Sequence, residues 1–446
     1  MLVNSLNSVA VTGFTAQKKN GFLYRSKLGY LLIFVIFFIF LYPVQFKGTP
    51  VTNRVLAGFL SITILSAIAV FRVALKKFYI KKQFLKIAGT LLLISVVSFF
   101  SIKINGSGQT EFLLYPLRTP MIILAVAYWC CLLIIQVYGY ISFTIITRFF
   151  IITVTIQSII ALLNYSVPAV NDFFNSIQDY NELDNVIVNL SAGARVMGFG
   201  AKFMNAGVIV GFCLILIGVI LKTKKLSYWQ NLGLVIVFIL NFIVGMMMAR
   251  TTIIGAVLSL AYVIFPTSAK KFSLKNKLRF ASTLIVLGIC FYIFVIPLVS
   301  EEITQMFNYG FEMFVNYSTE GELRTESSDM VMNMWIWPDN FKTWIIGDAL
   351  FSTPDGLAYY KSTDIGYCRL IFYFGLIGFI SFTVYQLGLM YWAFKAEAKK
   401  IHFKLLMLII AIFYFTIMSK GIMEMTYLTG MFWMASNIFR KKYNLS

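Results

Sequence analysis

The chain has 446 residues, of which 59% are hydrophobic, 17% aromatic and only 13% charged, and its formal net charge is +20. A mean hydropathy of +0.81 is more apolar than a soluble core requires, which excludes a soluble globular protein. Runs of about 18 or more apolar residues instead predict an all-α, polytopic integral membrane protein that forms a single domain over residues 1–446.

About twelve transmembrane helices are predicted along the chain. They cover residues 28–46, 54–75, 84–102, 119–138, 142–163, 203–221, 230–249, 251–268, 280–298, 366–394, 403–419 and 421–439. An even number of spans places both termini on the same side of the membrane.

The connections between these spans alternate in charge. Counted with the adjoining halves of the spans, 26 of the 38 Lys and Arg residues lie on one side, and 17 of the 18 Asp and Glu residues lie on the other. This asymmetry is typical of the positive-inside rule, so the net charge does not indicate nucleic-acid binding. It predicts a multi-pass protein of the bacterial inner membrane with both termini in the cytoplasm.

Two outer segments are too long to be simple turns. The first outer loop covers 164–200, and the large periplasmic loop between spans nine and ten covers 300–364 and holds 11 of the 18 acidic residues. Loops of this length are usually functional. Apolar residues recur at helical spacing in the second one, which predicts amphipathic helices that lie on the outer leaflet or cap a cavity. They are Ile303, Phe307, Phe311 and Phe314, then Met330, Met334 and Trp337.

The positions of the cysteines and of the histidine indicate neither a disulfide framework nor a metal site. The five cysteines lie in or at the start of predicted spans, without metal-ligand spacing. The single histidine, His402, lies among cytoplasmic lysines.

Cations at the outer ends of spans are the first candidate functional residues, because a charge at membrane depth is costly unless it is paired or lines a wet cavity. They are Arg195, Lys202, Arg250, Arg324 and Arg369. Arg250 lies at the tight turn between spans seven and eight, where it either snorkels to lipid headgroups or forms an anion site. Arginine suits the second role because its planar guanidinium binds phosphate oxygens bidentately.

Acidic and aromatic side chains on the same face are the second group. Glu320, Glu322, Asp348 and Asp364 are the candidate general bases, since the outer face has no histidine. Together with tryptophan and tyrosine they also form a plausible sugar-binding surface.

Four short motifs, taken in order, resemble the O-antigen polymerase/O-antigen ligase superfamily, and the Wzy-type polymerases in particular. The motifs are Ala194-Arg195-Val196-Met197-Gly198 with Asn205-Ala206, Met248-Ala249-Arg250-Thr251, Leu323-Arg324 with Trp335 and Gly347-Asp348, and Thr363-Asp364-Ile365-Gly366-Tyr367 with Phe374-Gly375-Leu376-Ile377-Gly378. The resemblance covers roughly residues 190–390 by motif and the remainder by topology, and the long outer loop after span nine is also the family's arrangement.

The resemblance implies a glycosyltransferase that acts on the periplasmic face without a metal or another cofactor. Its donor would be an oligosaccharide linked to undecaprenyl diphosphate in the membrane, and its acceptor a sugar hydroxyl. The family's diphosphate-binding arginines map onto Arg195, Arg250 and Arg324. A chain-length regulator protein is a candidate partner, and no nucleic acid is expected.

Asp364 stands where the ligase branch tends to have histidine, which favours a polymerase and makes Asp364 either the base or a residue that orients Arg324 or the acceptor. The further substrate-binding residues that we expect are Lys202, Glu322, Trp335, Asp348, Tyr367 and Arg369.

Three other functions stay open. A ligase differs only in its acceptor. A lipid-linked oligosaccharide flippase would also have about twelve spans and buried cations, but the two halves of this chain show no repeat and its outer loop is very long. The third is a non-catalytic membrane scaffold.

Overall fold

A computed structural model of the protein describes residues 23–74, 82–179, 196–201, 203–265, 301–353, 356, 358–398 and 401–439. The described residues form α-helices joined by loops, with only isolated β-bridges between loops. In chain order the helices are α1 (Lys27–Leu41), α2 (Asn53–Ala74), α3 (Lys82–Asn105), α4 (Ile122–Tyr138), α5 (Phe143–Ser166), α6 (Pro168–Ile177), α7 (Phe203–Thr223), α8 (Tyr228–Met248), α9 (Thr252–Ile264), α10 (Glu301–Glu320), α11 (Glu326–Asn333), α12 (Phe341–Ile346), α13 (Gly366–Phe394), α14 (Phe403–Met418) and α15 (Thr426–Trp433).

Seven helices within these ranges are long and apolar enough to cross a membrane. They lie at Asn53–Phe71, Lys82–Asn105, Leu117–Tyr138, Phe143–Ser166, Met204–Thr223, Tyr228–Met248 and Gly366–Glu397. Three shorter apolar helices, α1, α9 and α14, also coincide with predicted spans. The chain is therefore an all-α membrane protein, whereas the total of about twelve spans stays a prediction. The predicted span at 280–298 lies outside the described residues.

Helix α7 is the most deeply buried of these spans, with 89% of its apolar window inside the protein. It is apolar on every side, as expected of a helix surrounded by other helices. Small residues allow α9 to approach it closely: a Cβ on Gly255 would lie 2.2 Å from the Cα of Gly211. Ser259 donates a hydrogen bond of 2.6 Å to the Leu214 carbonyl at the same contact. Small-residue contacts of this kind are common between membrane helices.

Helix α13 is broken at Phe374 and Gly375, which have non-helical backbone angles. The break exposes two carbonyls that the helix would otherwise bond internally. Asp348 N donates to Phe372 O at 2.6 Å and Ala349 N to Tyr373 O at 2.9 Å, and the Ser101 hydroxyl adds a second bond to Tyr373 O at 2.9 Å. The segment after α12 thus satisfies the backbone groups that the break exposes, as apolar surroundings require.

Only glycine fits at the centre of this break. Gly375 has a φ of +66°, and a Cβ there would lie 2.1 Å from the Ile345 carbonyl oxygen. Glycine adopts positive φ without steric cost and lets the two backbones touch. Gly375, the first glycine of the motif at 375–378 singled out in the sequence, therefore has a structural role.

The second half of the large loop is fastened to the end of α3. Asn105 Nδ2 donates to Gly347 O at 3.0 Å, and the Ser107 hydroxyl donates to Ala349 O at 2.6 Å. Gln109 Nε2 continues the series with a bond of 2.9 Å to Ser352 O. Residues 347–352 are consequently part of the packed structure rather than a free loop.

Residues 419–425 form a non-helical segment between α14 and α15, because Glu424 is bonded inside the bundle. The Glu424 carboxylate accepts hydrogen bonds from the Tyr115 and Thr426 hydroxyls. It also accepts 3.2 Å and 2.9 Å bonds from Gln386 Nε2 and from the Thr426 backbone N–H. The last predicted span, 421–439, was therefore wrong at its start: α15 begins at Thr426, and a π-turn at Met434–Ile438 extends it.

We expect Glu424→Ala to lower the free energy of unfolding by roughly 2–4 kcal/mol, because it leaves buried donors from three chain segments without an acceptor. Thermal unfolding of the purified protein in detergent measures the change. Glu322→Ala, the same substitution at a carboxylate that is 59% exposed, is the matched control. Equal melting temperatures for both variants would contradict a stabilising role for the Glu424 network.

The predicted orientation can be tested with single cysteines at two exposed positions, in a protein whose five native cysteines are replaced by serine. We expect Asn340→Cys to react with a membrane-impermeant maleimide from outside intact cells, and Lys404→Cys to react only after permeabilisation, because the basic segments stay in the cytoplasm. The opposite labelling pattern would invert the topology.

Candidate functional site

The candidate site lies where three loops meet the first turns of α7. Ala249 and Thr251, on either side of Arg250, contact Gly207: a Cβ there would lie 2.7 Å from Ala249 Cβ and 2.6 Å from Thr251 Oγ1. On the other side, a Cβ on Gly421 would lie 2.8 Å from Met204 Cε and 3.9 Å from the Asp364 carbonyl oxygen. The turn with Arg250 therefore packs against the start of α7, and the turn with Asp364 is linked to the same helix through Gly421.

Arg369 is the most enclosed cation of this site, with 9% of its side chain exposed. Its guanidinium carbon lies 3.5 Å from the ring centroid of Tyr359 and 4.3 Å from that of Phe351. Both distances are within cation–π range. Its Nε is buried and has no hydrogen-bond partner among the described residues. Arg369 therefore has one buried guanidinium donor that no described residue satisfies.

Asp364 lies beside this arginine at the start of α13. Its Oδ1 is 3.7 Å from Arg369 NH1, and 53% of its side chain is exposed. Partial burial raises the pKa of the Asp364 carboxyl, and the nearby Arg369 charge opposes that rise. The pair thus places a half-exposed proton acceptor next to a shielded cation.

Arg250 is also held in place, by helix α10. It forms an ion pair with Glu312, and its Nε donates to the Tyr309 carbonyl at 2.9 Å. The guanidinium also lies 4.2 Å from the Tyr309 ring centroid. Because only 13% of its side chain is exposed, Arg250 is an oriented and shielded cation that does not extend into solvent.

Arg324 occupies a different environment from the other two arginines. Its side chain is 64% exposed and pairs with Glu322 at 3.4 Å and with Asp329 at 3.3 Å. The structure therefore places Glu322 with Arg324 on an exposed turn between α10 and α11. The ion-pair partners of Arg324 within the described ranges are thus Glu322 and Asp329, and not Asp364.

The Asp348 carboxylate accepts hydrogen bonds from two side-chain hydroxyls of the large loop. Its Oδ1 accepts a 2.6 Å bond from the Thr343 hydroxyl, and its Oδ2 accepts one of 3.3 Å from the Tyr360 hydroxyl. Burial, and after it the nearby Asp348 charge, raise the pKa of Tyr360. The phenol therefore keeps its proton and donates it in this hydrogen bond. Asp348 thereby orders the loop that fills the α13 break.

Trp335 and Tyr367 stack on each other next to the charged pair, with ring centroids 5.8 Å apart and planes at 24°. The Thr363 hydroxyl donates to the Met334 carbonyl at 2.6 Å, so this stacked pair adjoins the turn that carries Asp364, while Arg369 packs against Phe351 and Tyr359. Arg195 and Lys202, the two other predicted cations, lie outside the described residues.

Sequence reasoning missed Glu424 and Arg54, which are both half-buried in the helical bundle. Arg54 donates a 3.0 Å bond to the Phe40 carbonyl. A lone carboxylate inside the last predicted span was the available signal, since ionisable residues at membrane depth mark function. Phe351 and Tyr359, which enclose Arg369, gave no such signal.

The described residues contain no group of three or more His, Cys, Asp or Glu side chains that could hold a metal ion. Comparison of the chain with protein-family models, with curated proteins and with solved structures finds no match in any of the three. The function is therefore argued from the residues of the site.

We expect Glu312→Ala to destabilise the protein measurably, by roughly 1–3 kcal/mol, because it leaves the shielded Arg250 without its counter-charge. Asp329→Ala, which removes a partner of the exposed Arg324, should leave the melting temperature unchanged because exposed pairs contribute little. Equal effects of the two substitutions in thermal unfolding would show that Arg250 is no better held than Arg324.

Proposed function

We propose that the protein is a membrane glycosyltransferase that polymerises undecaprenyl-diphosphate-linked oligosaccharide units into O-antigen or a related surface polysaccharide. The observation that carries this proposal is the enclosed Arg369, with an unpartnered Nε, beside the half-exposed Asp364 at one end of an apolar helical bundle. The sequence resemblance to the polymerase and ligase superfamily points the same way.

Guanidinium groups near the membrane surface favour a phosphate ligand. A lipid diphosphate brings two phosphoryl groups to the bilayer surface, where a planar guanidinium can donate to two oxygens at once. Shielding from water strengthens this attraction. Arg250 and Arg369 are both shielded and held by aromatic rings, so little freedom is lost when a diphosphate binds.

The proposed reaction is attack by an acceptor hydroxyl on the anomeric carbon of the donor sugar. The bond from that carbon to the diphosphate oxygen breaks, and the diphosphate leaves with the electron pair. Fixed cations lower the barrier by stabilising charge as it develops on the leaving group. Asp364 takes the hydroxyl proton, and its raised pKa makes it a better acceptor than an ordinary exposed aspartate.

The other proposed cations are arranged around this pair. Arg324 would join the diphosphate only if its exposed turn moved towards Arg250 and exchanged Glu322 and Asp329 for phosphate oxygens. Arg195 and Lys202 are proposed to complete the site. Glu322 and Asp348 then serve the orientation of the loop rather than the chemistry.

Surface-glycan electrophoresis on a strain that lacks the gene tests the function directly. Loss of the long ladder with a single-unit band remaining is the expected result. Accumulation of finished lipid-linked polymer would show a ligase, and accumulation of single lipid-linked units facing the cytoplasm would show a flippase.

Complementation of that strain with arginine variants tests the site. Arg369→Ala and Arg250→Ala should each lower polymer synthesis about a hundredfold or more, which corresponds to roughly 3 kcal/mol of transition-state stabilisation. Arg369→Lys should restore little, because lysine keeps the charge but not the planar fork. Arg148→Ala, at an exposed arginine near the opposite end of α5, is the matched control. Wild-type polymer from both site variants, at equal protein levels, would contradict the diphosphate assignment.

A further inference from the structure

Four aromatic rings form a continuous row that runs from α12 in the large loop to the first turn of α13, next to Asp364 in the chain. The row, which we call the aromatic ladder, consists of Trp344, Trp337, Trp335 and Tyr367. Successive ring centroids lie 5.6, 5.6 and 5.8 Å apart, and the ring planes meet at 14°, 46° and 24°. Two of the three contacts are therefore nearly parallel.

These distances correspond to offset rather than full overlap of the rings. Nearly parallel rings in complete contact would lie closer than 5.6 Å, so each ring leaves part of its face uncovered by the next. Trp337 is 42% exposed, and the neighbouring Ile336 and Phe341 are 36% and 80% exposed. The ladder is thus exposed at Trp337 and its neighbours, whereas Trp344, Trp335 and Tyr367 are half-buried.

Hydrogen bonds to the backbone hold the ladder in this form. Trp344 Nε1 donates to Pro338 O at 2.9 Å, which closes the loop between the first two rings. The Thr363 hydroxyl donates to Met334 O at 2.6 Å next to Trp335. At the inner end, the Tyr367 hydroxyl donates to Phe415 O at 2.6 Å. The rings are fixed before any ligand arrives, so binding to them costs little side-chain entropy.

The inner half of the ladder rests on a small core of its own. Trp335 and Tyr367 pack against Ile365, Cys368 and Phe372, which are almost completely buried. Because Ile365, Tyr367 and Cys368 flank Asp364 and Arg369 in the chain, the ladder and the charged pair share one rigid support. A ligand on the outer rings would therefore be positioned relative to the reacting groups.

The chemistry of the surface favours a carbohydrate. Flat indole and phenol faces complement the C–H faces of sugar rings, and the exposed Asp339 and Asn340 beside Trp337 supply polar groups for hydroxyls. A row of rings, rather than one ring, fits a chain of sugar units. Tryptophans that anchor a protein in the bilayer form a belt at the membrane interface, whereas three of these come from one ten-residue stretch and stack on each other.

We propose that the aromatic ladder binds the acceptor glycan and leads its growing end to Asp364 and Arg369, an inference that rests on the proposed polymerase function. Trp337 contacts the sugar chain, and Trp335 and Tyr367 align the unit that carries the attacking hydroxyl. The lipid-linked donor occupies the arginines, and the two ligands meet at Asp364.

Binding without turnover separates this proposal from the proposed function. The full-length protein is placed in nanodiscs of phosphatidylethanolamine and phosphatidylglycerol. The probe is the set of oligosaccharides of one to three repeat units that mild acid releases from the surface polysaccharide of the organism that carries the gene. We expect Trp337→Ala to weaken their binding about tenfold, which one lost aromatic contact can account for. Trp337→Phe keeps a ring and should retain most of the binding.

Trp229→Ala is the matched control, because Trp229 is 76% exposed at the start of α8, away from the ladder. In the complemented deletion strain, Trp337→Ala should shorten the polymer, because this variant binds the acceptor glycan more weakly. Arg369→Ala should abolish the polymer, because this variant lacks the cation that binds the leaving diphosphate. Both variants must be present at wild-type levels in the membrane.

Three outcomes would overturn the proposal. Oligosaccharide binding that is equal in Trp337→Ala and wild type, with polymerisation intact, would reject the ladder and leave the polymerase standing. Quenching of Trp337 fluorescence by brominated lipids would show that the ladder faces the bilayer. Oligosaccharide binding that depends on Trp337, in a protein whose gene deletion leaves the polymer unchanged, would reject the acceptor role together with the proposed function.

Discussion

Every backbone polar group inside an apolar bundle needs a partner, because no water is available there to supply one. The break in α13 shows how this requirement shapes the rest of the protein. Two exposed carbonyls are satisfied by residues 348 and 349 and by Ser101. The loop that supplies these donors is fastened in turn to the end of α3. One interruption of a helix thus fixes a segment far away in the sequence.

The same constraint creates the surroundings of the candidate site. Because residues 347–352 are drawn into the bundle, Phe351 and Tyr359 come to lie against Arg369, whose charge is then shielded by rings. A similar logic applies at residues 419–425, where Glu424 accepts hydrogen bonds from three chain segments. The segment it holds carries Gly421, which touches the turn of Asp364. Structural and chemical residues are therefore coupled through backbone contacts.

The three arginines of the described site differ in ways that matter for binding. Arg250 and Arg369 are shielded and held by carboxylates and rings, whereas Arg324 lies in solvent between two acidic partners. A shielded cation attracts an anion more strongly than an exposed one, because water screens the exposed charge. This ranking of the arginines does not follow from their motifs, which look alike in sequence.

The sequence by itself determined the membrane class and the helices, because long apolar runs have few alternatives to spanning a bilayer. Helices such as α3, α5, α7, α8 and α13 begin and end within a few residues of the predicted bounds. The sequence also singled out Arg250, Asp364 and Arg369 as charges beside apolar runs. Only the tertiary structure decided the break at Gly375, the non-helical segment around Glu424, the isolation of Arg324 and the stacking of the aromatic ladder. The break and the Glu424 segment depend on partners that are distant in the chain, and local periodicity carries no information about such partners. The pairing of Arg324 and the stacking of the rings depend on how the folded loop places nearby side chains, which periodicity does not show either.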